Sequence, residues 1–236
     1  KEFDRDYAYA KHFRPVEKLP EESRATFQGY KRADGRAGTR NFISIVSTVN
    51  CSATVVHAIA DYFNDERLSK YPNVDGVAAF SHNTGCGMEL TGEPMNLLHR
   101  TLAGYIKHPN VAASLVVGLG CERCQVGGLF ETQKLQTDET LRTLVMQESG
   151  GTRQTISRGI SIIEELLETA NRSQRETVPA SQIMVGLQCG GKQMAANSDT
   201  NFLGALPLQL DIRTDVDEGT PSVAKDPESQ VSGMYQ

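Results

Sequence analysis

Four of the five cysteines stand where an apolar segment gives way to a polar or glycine-rich one. They are Cys51, Cys86, Cys121 and Cys189. Three of them adjoin glycine, which permits tight turns and a close approach of the backbone to a ligand. A thiol near a helix N-terminus is favoured as thiolate, and thiolates suit soft or borderline metals such as iron or zinc. A single free cysteine is more often an inert core residue, but core packing alone would not place four of them at strand ends.

Two further patterns near these cysteines could take part in chemistry. His82 lies in the segment SHNTGCG, and an unperturbed imidazole pKa of about 6.5 suits a base or a metal ligand. A loop histidine held by hydrogen bonds is an equally good interpretation. The segment CERC, from Cys121 to Cys124, is a CxxC pattern of the kind used by dithiol redox sites. Its alternative interpretation is that Cys124 packs on a helix.

Three arginines accompany glycine-rich turns: Arg36, Arg40 and Arg153. A planar guanidinium can bind a carboxylate through two hydrogen bonds. Arg153 follows two glycines at the start of the longest predicted helix, where an anion site is favoured, whereas Arg36 is better explained as a solvated surface residue. The glycines form neither GxGxxG nor a P-loop, so the sequence gives no nucleotide signature.

The elements that must position these residues alternate between strands and helices. Apolar runs predict strands at 42–49, 76–80, 112–119, 143–147 and 183–187, with amphipathic helices between them. This alternation predicts an α/β fold with a parallel, Rossmann-like open sheet and helices on both faces. Cys51, Cys86 and Cys121 are spaced 35 residues apart, which is close to the length of one βαβ unit. Ligands bind beyond the carboxyl ends of such strands, so the cysteines are expected along one edge.

The composition of the chain argues against several classes of protein. The net charge is -5 and no basic block is present, which argues against nucleic acid and anionic membranes as partners. Aromatic residues make up 6% and tryptophan is absent, so an aromatic stacking platform is not expected. The first residues lack the apolar core of a signal peptide, and no apolar stretch is long enough to cross a bilayer. A cytoplasmic protein with reduced thiols is predicted.

Composition also divides the chain into three parts. Residues 1–28 are charged and broken by proline, which predicts an arm or linker, and residues 29–191 form the predicted α/β domain. Residues 192–236 are polar with three prolines and predict a tail or the remnant of another domain.

Six motifs indicate a resemblance to a known family. They run in order from Gly29 to Gly191: GYKRADGRAGTRN, STVNC, SHNTGCG, HPNVAASLVVGLGCERCQ, QESGGTR and RETVPASQIMVGLQCGG. Together they resemble the altronate/galactarate dehydratases, a family that also includes sulfolactate sulfo-lyases. The resemblance implies a lyase that removes water from a sugar acid, or sulfite from a sulfonated acid. It also implies a divalent metal, usually ferrous iron. For this chain an iron–sulfur cluster or another divalent ion such as Mn²⁺ is the alternative prediction.

The chain departs from the family pattern after Gly191. Family members are expected to be about twice this long, with a small N-terminal β domain and a further C-terminal domain. Lys192 follows the CGG motif in place of a Ser-Asp-Gly-rich stretch, and residues 195–220 resemble the family's closing segment. This pattern predicts a gap at Gly191–Lys192, in which case part of the active site is missing and the fragment is inactive alone. Besides the small-molecule acid, the expected partners are a second copy of the chain or a separate small N-terminal domain.

The resemblance and the residues together give a hypothesis for the site. A 2,3-dihydroxy acid would lose its C2 proton to a base and its C3 hydroxide, and the resulting enol would become a 2-keto-3-deoxy acid. The assigned residues are His82 and Cys86 for catalysis, Cys86, Cys121 and Cys189 for the metal, Arg40 and Arg153 for carboxylates, and Asn83 and Thr84 for hydroxyls. Two other classes stay open: a dithiol oxidoreductase using Cys121 and Cys124, and a non-catalytic module that scaffolds a partner domain.

Overall fold

A four-stranded parallel sheet forms the centre of the protein. The computed structural model describes residues 19–184, of which Arg24–Ile183 form a compact unit. The parallel strands are β3 (Phe42–Ser47), β4 (Gly76–Phe80), β5 (Val111–Gly118) and β6 (Leu141–Val145), and their order in the sheet is β4-β3-β5-β6. The predicted α/β fold with a parallel sheet is therefore confirmed. The strands predicted at 42–49, 76–80, 112–119 and 143–147 all correspond to these elements.

The two central strands are apolar along most of their length because both faces of the sheet are covered. Ile45 and Leu115 are neighbours across β3 and β5 and are fully buried. The hydroxyls of Ser44 and Ser114, the two buried polar side chains in the middle of these strands, lie 2.7 Å apart and hydrogen-bond each other. Each polar group thereby satisfies the other inside the core.

Helices cover both faces of this sheet, as predicted. They are α1 (Ala53–Tyr62), the short α2 (Asp65–Leu68), α3 (Glu93–Ile106), α4 (Val126–Gln133) and α5 (Thr152–Ala170). Helices α1 and α5 pack with Ile43 and Ile45 on one face, and α3 and α4 pack with Val46 and Val116 on the other. In the part of the chain that the structure describes, no helix is long and apolar enough to cross a membrane.

Helices α1 and α5 approach each other closely at a glycine. A Cβ added to Gly159 of α5 would lie 2.4 Å from Cδ1 of Ile59 on α1. A larger residue at position 159 would therefore displace the fully buried side chain of Ile59 and disturb the packing of the two helices.

A second, antiparallel sheet was not predicted. It consists of β1 (Thr26–Lys31), β2 (Ala37–Gly38) and β7 (Glu176–Pro179) in the order β2-β1-β7. The strand predicted at 183–187 is not found at 183 and 184, and its remaining residues lie outside the described part of the chain. The domain limits placed near 28 and 191 stay predictions, since residues 1–18 and 185–236 are not described.

Polar side chains connect the small sheet to the amino-terminal edge of the parallel sheet. Nε of Arg32, just after β1, donates to the carbonyl of Pro109 at 2.7 Å, just before β5. The Asn110 side chain accepts from the backbone N–H of Thr39 at 2.8 Å and of Arg40 at 3.2 Å. The arginine- and glycine-rich segment 29–41 is therefore a connection between the two sheets.

Asp75 is the acidic partner in this connection. One carboxylate oxygen accepts from the backbone N–H of Asn41 at 2.6 Å, and the other lies 3.3 Å from the guanidinium of Arg40. Asn41 is fully buried, so its N–H has no access to water. The hydrogen bond to this N–H should matter more than the exposed ion pair.

The substitution Asp75→Ala should lower the free energy of unfolding by about 1–3 kcal/mol, because it leaves the buried Asn41 N–H without an acceptor. Urea unfolding curves measure the effect. Asp75→Asn retains an acceptor oxygen and should lose distinctly less, so equal losses in the two variants would contradict this assignment.

Candidate active site

Four loops follow the carboxyl ends of the parallel strands and lie along the same edge of the sheet. We call them the carboxyl-edge loops, and they comprise residues 48–52, 81–92, 119–125 and 146–151. Buried polar residues concentrate at this edge of the described structure: Ser47, Thr48, Ser52, Glu122, Ser149 and Thr155. Since burying polar groups is costly unless they are hydrogen-bonded, this edge is built differently from the apolar centre of the sheet.

The carboxyl-edge loops bond directly to one another. The carbonyl of Gly85 accepts from the backbone N–H of Arg123 at 2.9 Å and of Cys124 at 3.0 Å, and Asn50 N–H donates to the carbonyl of Thr84 at 3.0 Å. Gly85 has a φ of 95°, and a Cβ at this position would lie 2.3 Å from the carbonyl oxygen of Thr48. The contact between the three loops therefore requires glycine here.

These contacts bring predicted site cysteines to one edge. Cys86 follows Gly85 directly, and Cys121 lies in the loop that donates to Gly85. Cys51 lies in the loop after β3, and all three thiol-bearing residues are exposed. Cys189 lies outside the described residues, so its place relative to the others stays a prediction.

Glu122 is a residue that the sequence reasoning missed. One oxygen of its carboxylate accepts from the Thr48 hydroxyl at 2.9 Å and from Leu119 N–H at 3.1 Å, and the other accepts from Gly120 N–H at 2.6 Å. The residue is 3% exposed. The signal that could have found it is its position two residues after a glycine at a strand end, within reach of free backbone N–H groups.

The second cysteine of the CxxC segment is buried. Cys124 has no exposed surface, and burial together with the nearby charge of Glu122 raises the pKa of its thiol to about 12. A thiol with this pKa is protonated at neutral pH, whereas disulfide exchange requires thiolate. The burial favours the alternative that Cys124 packs in the core, and it leaves Cys121 as the one exposed thiol of the pair.

The imidazole of His82 bonds to the backbone through both nitrogens. Nε2 lies 3.1 Å from the carbonyl oxygen of Ser47, and Nδ1 accepts from Thr84 N–H at 3.3 Å. This arrangement places the proton on Nε2. Burial lowers the pKa of His82, and the bond to Ser47 offsets this only in part, so the neutral form is favoured. To act as a base, Nδ1 must give up its long hydrogen bond to Thr84.

The other residues predicted after β4 lie close to His82 along the chain. Asn83 is exposed, while Thr84 is half-buried and places its hydroxyl 3.6 Å from the Met88 sulfur. A second histidine lies at the same end of β4, since Nε2 of His57 on α1 is 2.9 Å from the Ser81 hydroxyl.

The two arginines predicted to bind carboxylates lie at opposite edges of the sheet. Arg153 is exposed in the first turn of α5, directly after the carboxyl-edge loop 146–151. Arg40 precedes β3, and a strand of six residues at about 3.3 Å each separates it from the carboxyl edge by roughly 20 Å. Because Arg40 also pairs with Asp75, the structure does not bring it to the candidate site, and its position corrects the expected role.

The described residues do not complete a metal centre. Within 19–184, no group of three or more His, Cys, Asp or Glu side chains is placed to hold a metal ion. Cys86 and Cys121 offer soft donors on adjoining loops, but the nitrogens of His82 and the oxygens of Glu122 are already bonded. A metal at this edge would need donors from elsewhere.

Comparison with known proteins identifies the family. Residues 29–171 match the family described as D-galactarate dehydratase/Altronate hydrolase, second domain. The chain belongs to this family. The match spans the four parallel strands and all four carboxyl-edge loops, so it includes the whole candidate site as described above.

Three relatives of known activity resemble the chain. Altronate dehydratase of Bacillus subtilis is 32% identical over 70% of this chain, and galactarate dehydratase (L-threo-forming) of Escherichia coli is 34% identical over 78%. The (2R)-sulfolactate sulfo-lyase subunit beta of Chromohalobacter salexigens is 28% identical over 75%. The matches cover 32%, 36% and 41% of these relatives, so the chain spans about a third of their length. The family resemblance drawn from the six motifs is confirmed.

The burial of His82 predicts a pH dependence of stability. Its folded pKa lies below the ordinary value of 6.5, so the unfolded chain takes up the proton first as the pH falls. The free energy of unfolding should therefore decrease on acidification through about pH 6.5.

Urea unfolding of the wild type and of His82→Gln from pH 7.5 to about pH 5 measures this contribution, which should be smaller in the variant. An NMR titration of the His82 ring provides the direct check. A midpoint above the ordinary value would contradict the buried, neutral imidazole.

Proposed function

We propose that this chain provides the catalytic edge of a hydro-lyase that dehydrates a sugar acid of the altronate or galactarate type to a 2-keto-3-deoxy acid. The observation that carries the proposal is the placement of Cys86 and Cys121 on adjoining, mutually hydrogen-bonded loops within the family match. Because the chain spans about a third of its relatives, the activity of a whole protein is part of the proposal.

The carboxyl edge suits an anionic substrate. Helices α1, α3, α4 and α5 each begin directly after a carboxyl-edge loop, and none has a side-chain cap on its first N–H groups. At α1 a short 3-10 turn precedes the helix, and Ala53 N–H already donates to the Asn50 carbonyl. At α3, α4 and α5, uncapped N–H groups at the helix start, with the positive end of the helix dipole, favour a carboxylate. Arg153 adds a guanidinium to the start of α5, and it is the arginine we assign to a substrate carboxylate.

The side chains after β4 suit the polyol part of the acid. Asn83 and Thr84 carry polar groups at the loop that ends in Cys86, and we assign them to substrate hydroxyls. Neutral His82 is the assigned base: it takes the C2 proton, the electron pair forms the C2–C3 double bond, and hydroxide leaves C3. Tautomerisation of the enol then gives the 2-keto-3-deoxy acid.

A metal belongs to the proposal, although the described residues do not complete its site. We propose ferrous iron, with an iron–sulfur cluster or Mn²⁺ as alternatives, held by Cys86 and Cys121 and by Cys189 beyond the described residues. Such an ion would stabilise negative charge on the carboxylate and the adjacent hydroxyl. We further propose that the chain acts in the cytoplasm, where thiols stay reduced, with a second copy or a separate small domain as its partner.

The direct test is incubation of the anaerobically purified chain with altronate and with galactarate, with the 2-keto-3-deoxy product quantified. Cys86→Ala and Cys121→Ala should each lower the rate at least roughly tenfold and reduce bound iron. Glu165→Ala, on the exposed side of α5, is the control and should leave both unchanged. Full rate and iron content in either cysteine variant would contradict the assignment.

The sulfo-lyase relative supports a second candidate substrate. A sulfolactate molecule also presents a carboxylate beside a hydroxyl, so the same edge could bind it. Sulfite release from sulfolactate, without product from either sugar acid, would favour this alternative. Absence of both activities together with absence of bound metal would favour the non-catalytic module.

A further inference from the structure

The two loops that follow the central strands share one buried carboxylate. Glu122, between Cys121 and Cys124, accepts from the Thr48 hydroxyl of the β3 loop at 2.9 Å. Its two oxygens also accept from the N–H groups of Leu119 and Gly120 at 3.1 and 2.6 Å. Each hydrogen bond of this carboxylate in the described structure comes from a donor on the chain itself.

The backbone around the carboxylate has little freedom to move. A Cβ on Gly118 would lie 2.6 Å from one Glu122 oxygen, and Gly120 has a φ of 125° that favours glycine. The Gln125 side chain closes the loop from the other end, where Nε2 donates to the carbonyls of Glu122 at 2.6 Å and of Gly120 at 3.2 Å. The loop is thus wound around the carboxylate of its own central residue.

This winding separates two cysteines that lie three residues apart. Cys121 is exposed at the candidate site, whereas Cys124 is fully buried against α3 and α4 and donates its N–H to Gly85. The Gly85 carbonyl holds the second half of this loop, and Glu122 holds the first half, from Leu119 to Gly120, to the β3 loop.

We infer that Glu122 is a positioning residue of the proposed active site, which holds Cys121 exposed and Cys124 buried by joining the Thr48 hydroxyl to the N–H groups of Leu119 and Gly120. The inference rests on the proposed function, because only there does Cys121 have a chemical role. Glu122 itself is not a catalytic residue. At 3% exposure, and with each oxygen bonded to the chain, its carboxylate does not face a substrate.

The test is site-resolved alkylation with iodoacetamide at fixed pH, read by mass spectrometry of the native chain. In the wild type, Cys51, Cys86 and Cys121 should react and Cys124 should stay protected. Thr48→Val keeps the shape of the side chain but removes the hydroxyl, and it should raise the Cys124 alkylation rate roughly tenfold. Glu122→Gln should also raise the rate, because its NH₂ group replaces an acceptor with a donor that faces an N–H. Since it also removes the charge that raises the pKa of Cys124, the charge-neutral Thr48→Val is the deciding variant.

Two controls separate positioning from general loss of stability. Thr48→Ser restores the hydroxyl and should return the Cys124 rate to within about twofold of the wild type. Ser44→Ala removes the hydrogen bond to Ser114 in the centre of the sheet and should leave Cys124 protected. An unchanged Cys124 rate in Thr48→Val, or an equal increase in Ser44→Ala, would overturn the inference.

The alkylation pattern needs no substrate, so its outcome is independent of the lyase assay. If the chain shows the expected pattern but dehydrates no sugar acid, the proposed function fails and the positioning by Glu122 stands. If the chain is active but Thr48→Val leaves both the rate of dehydration and the protection of Cys124 unchanged, the positioning role fails alone.

Discussion

The parallel pairing of β3 with both β4 and β5 is the constraint on which the rest of the structure depends. Because these strands run in one direction, each following loop emerges at the same edge, and each preceding segment lies at the other. The two edges then have different tasks. The amino edge attaches the small antiparallel sheet through Arg32, Asp75 and Asn110, while the carboxyl edge carries the exposed cysteines.

The carboxyl edge is polar inside as well as outside, and this has an energetic consequence. A buried carboxylate and several buried hydroxyls are tolerated because nearly every one has a partner within hydrogen-bond distance, as with Glu122 and Ser52. Ser47 is the exception at this edge of the described structure, since its buried hydroxyl has no partner there. Its carbonyl, in contrast, orients His82. A purely apolar arrangement would stabilise the fold at least as well, so the polar interior of this edge is better explained by the site above it.

Elements determined by a local pattern of residues could be predicted from the sequence. Strands that form by pairing with segments far away in the chain could not. The strands β3 to β6 are apolar runs, and both faces of their sheet are covered by helices with clear stripes. Strands β1 and β7 pair across about 150 residues. They contain Gly29 and Pro179, residue types that are typical of turns, so the local pattern does not indicate strands. Placing the cysteines at one edge needed only the direction of the strands. The same reasoning places Arg40 at the amino edge, because it precedes β3, and could have excluded Arg40 from the candidate site. The burial of Cys124 and the bonds of Glu122 depend on how one loop folds, which spacing does not encode.

The exposure of the site residues bears on what the carboxyl edge would contribute to the proposed reaction. Removal of a weakly acidic C2 proton needs a site from which water is excluded, yet Cys86, Cys121, Asn83 and Arg153 are all exposed. The described residues also lack a third metal donor beside the two thiols. Both observations describe an open edge: it brings exposed thiols, uncapped helix starts and His82 to one side of the sheet, but it does not enclose a substrate. About two thirds of each dehydratase relative lies outside the match. Under the proposed function, the edge must keep its geometry through its own loops, and the bonds from Gly85 and Glu122 join these loops to one another.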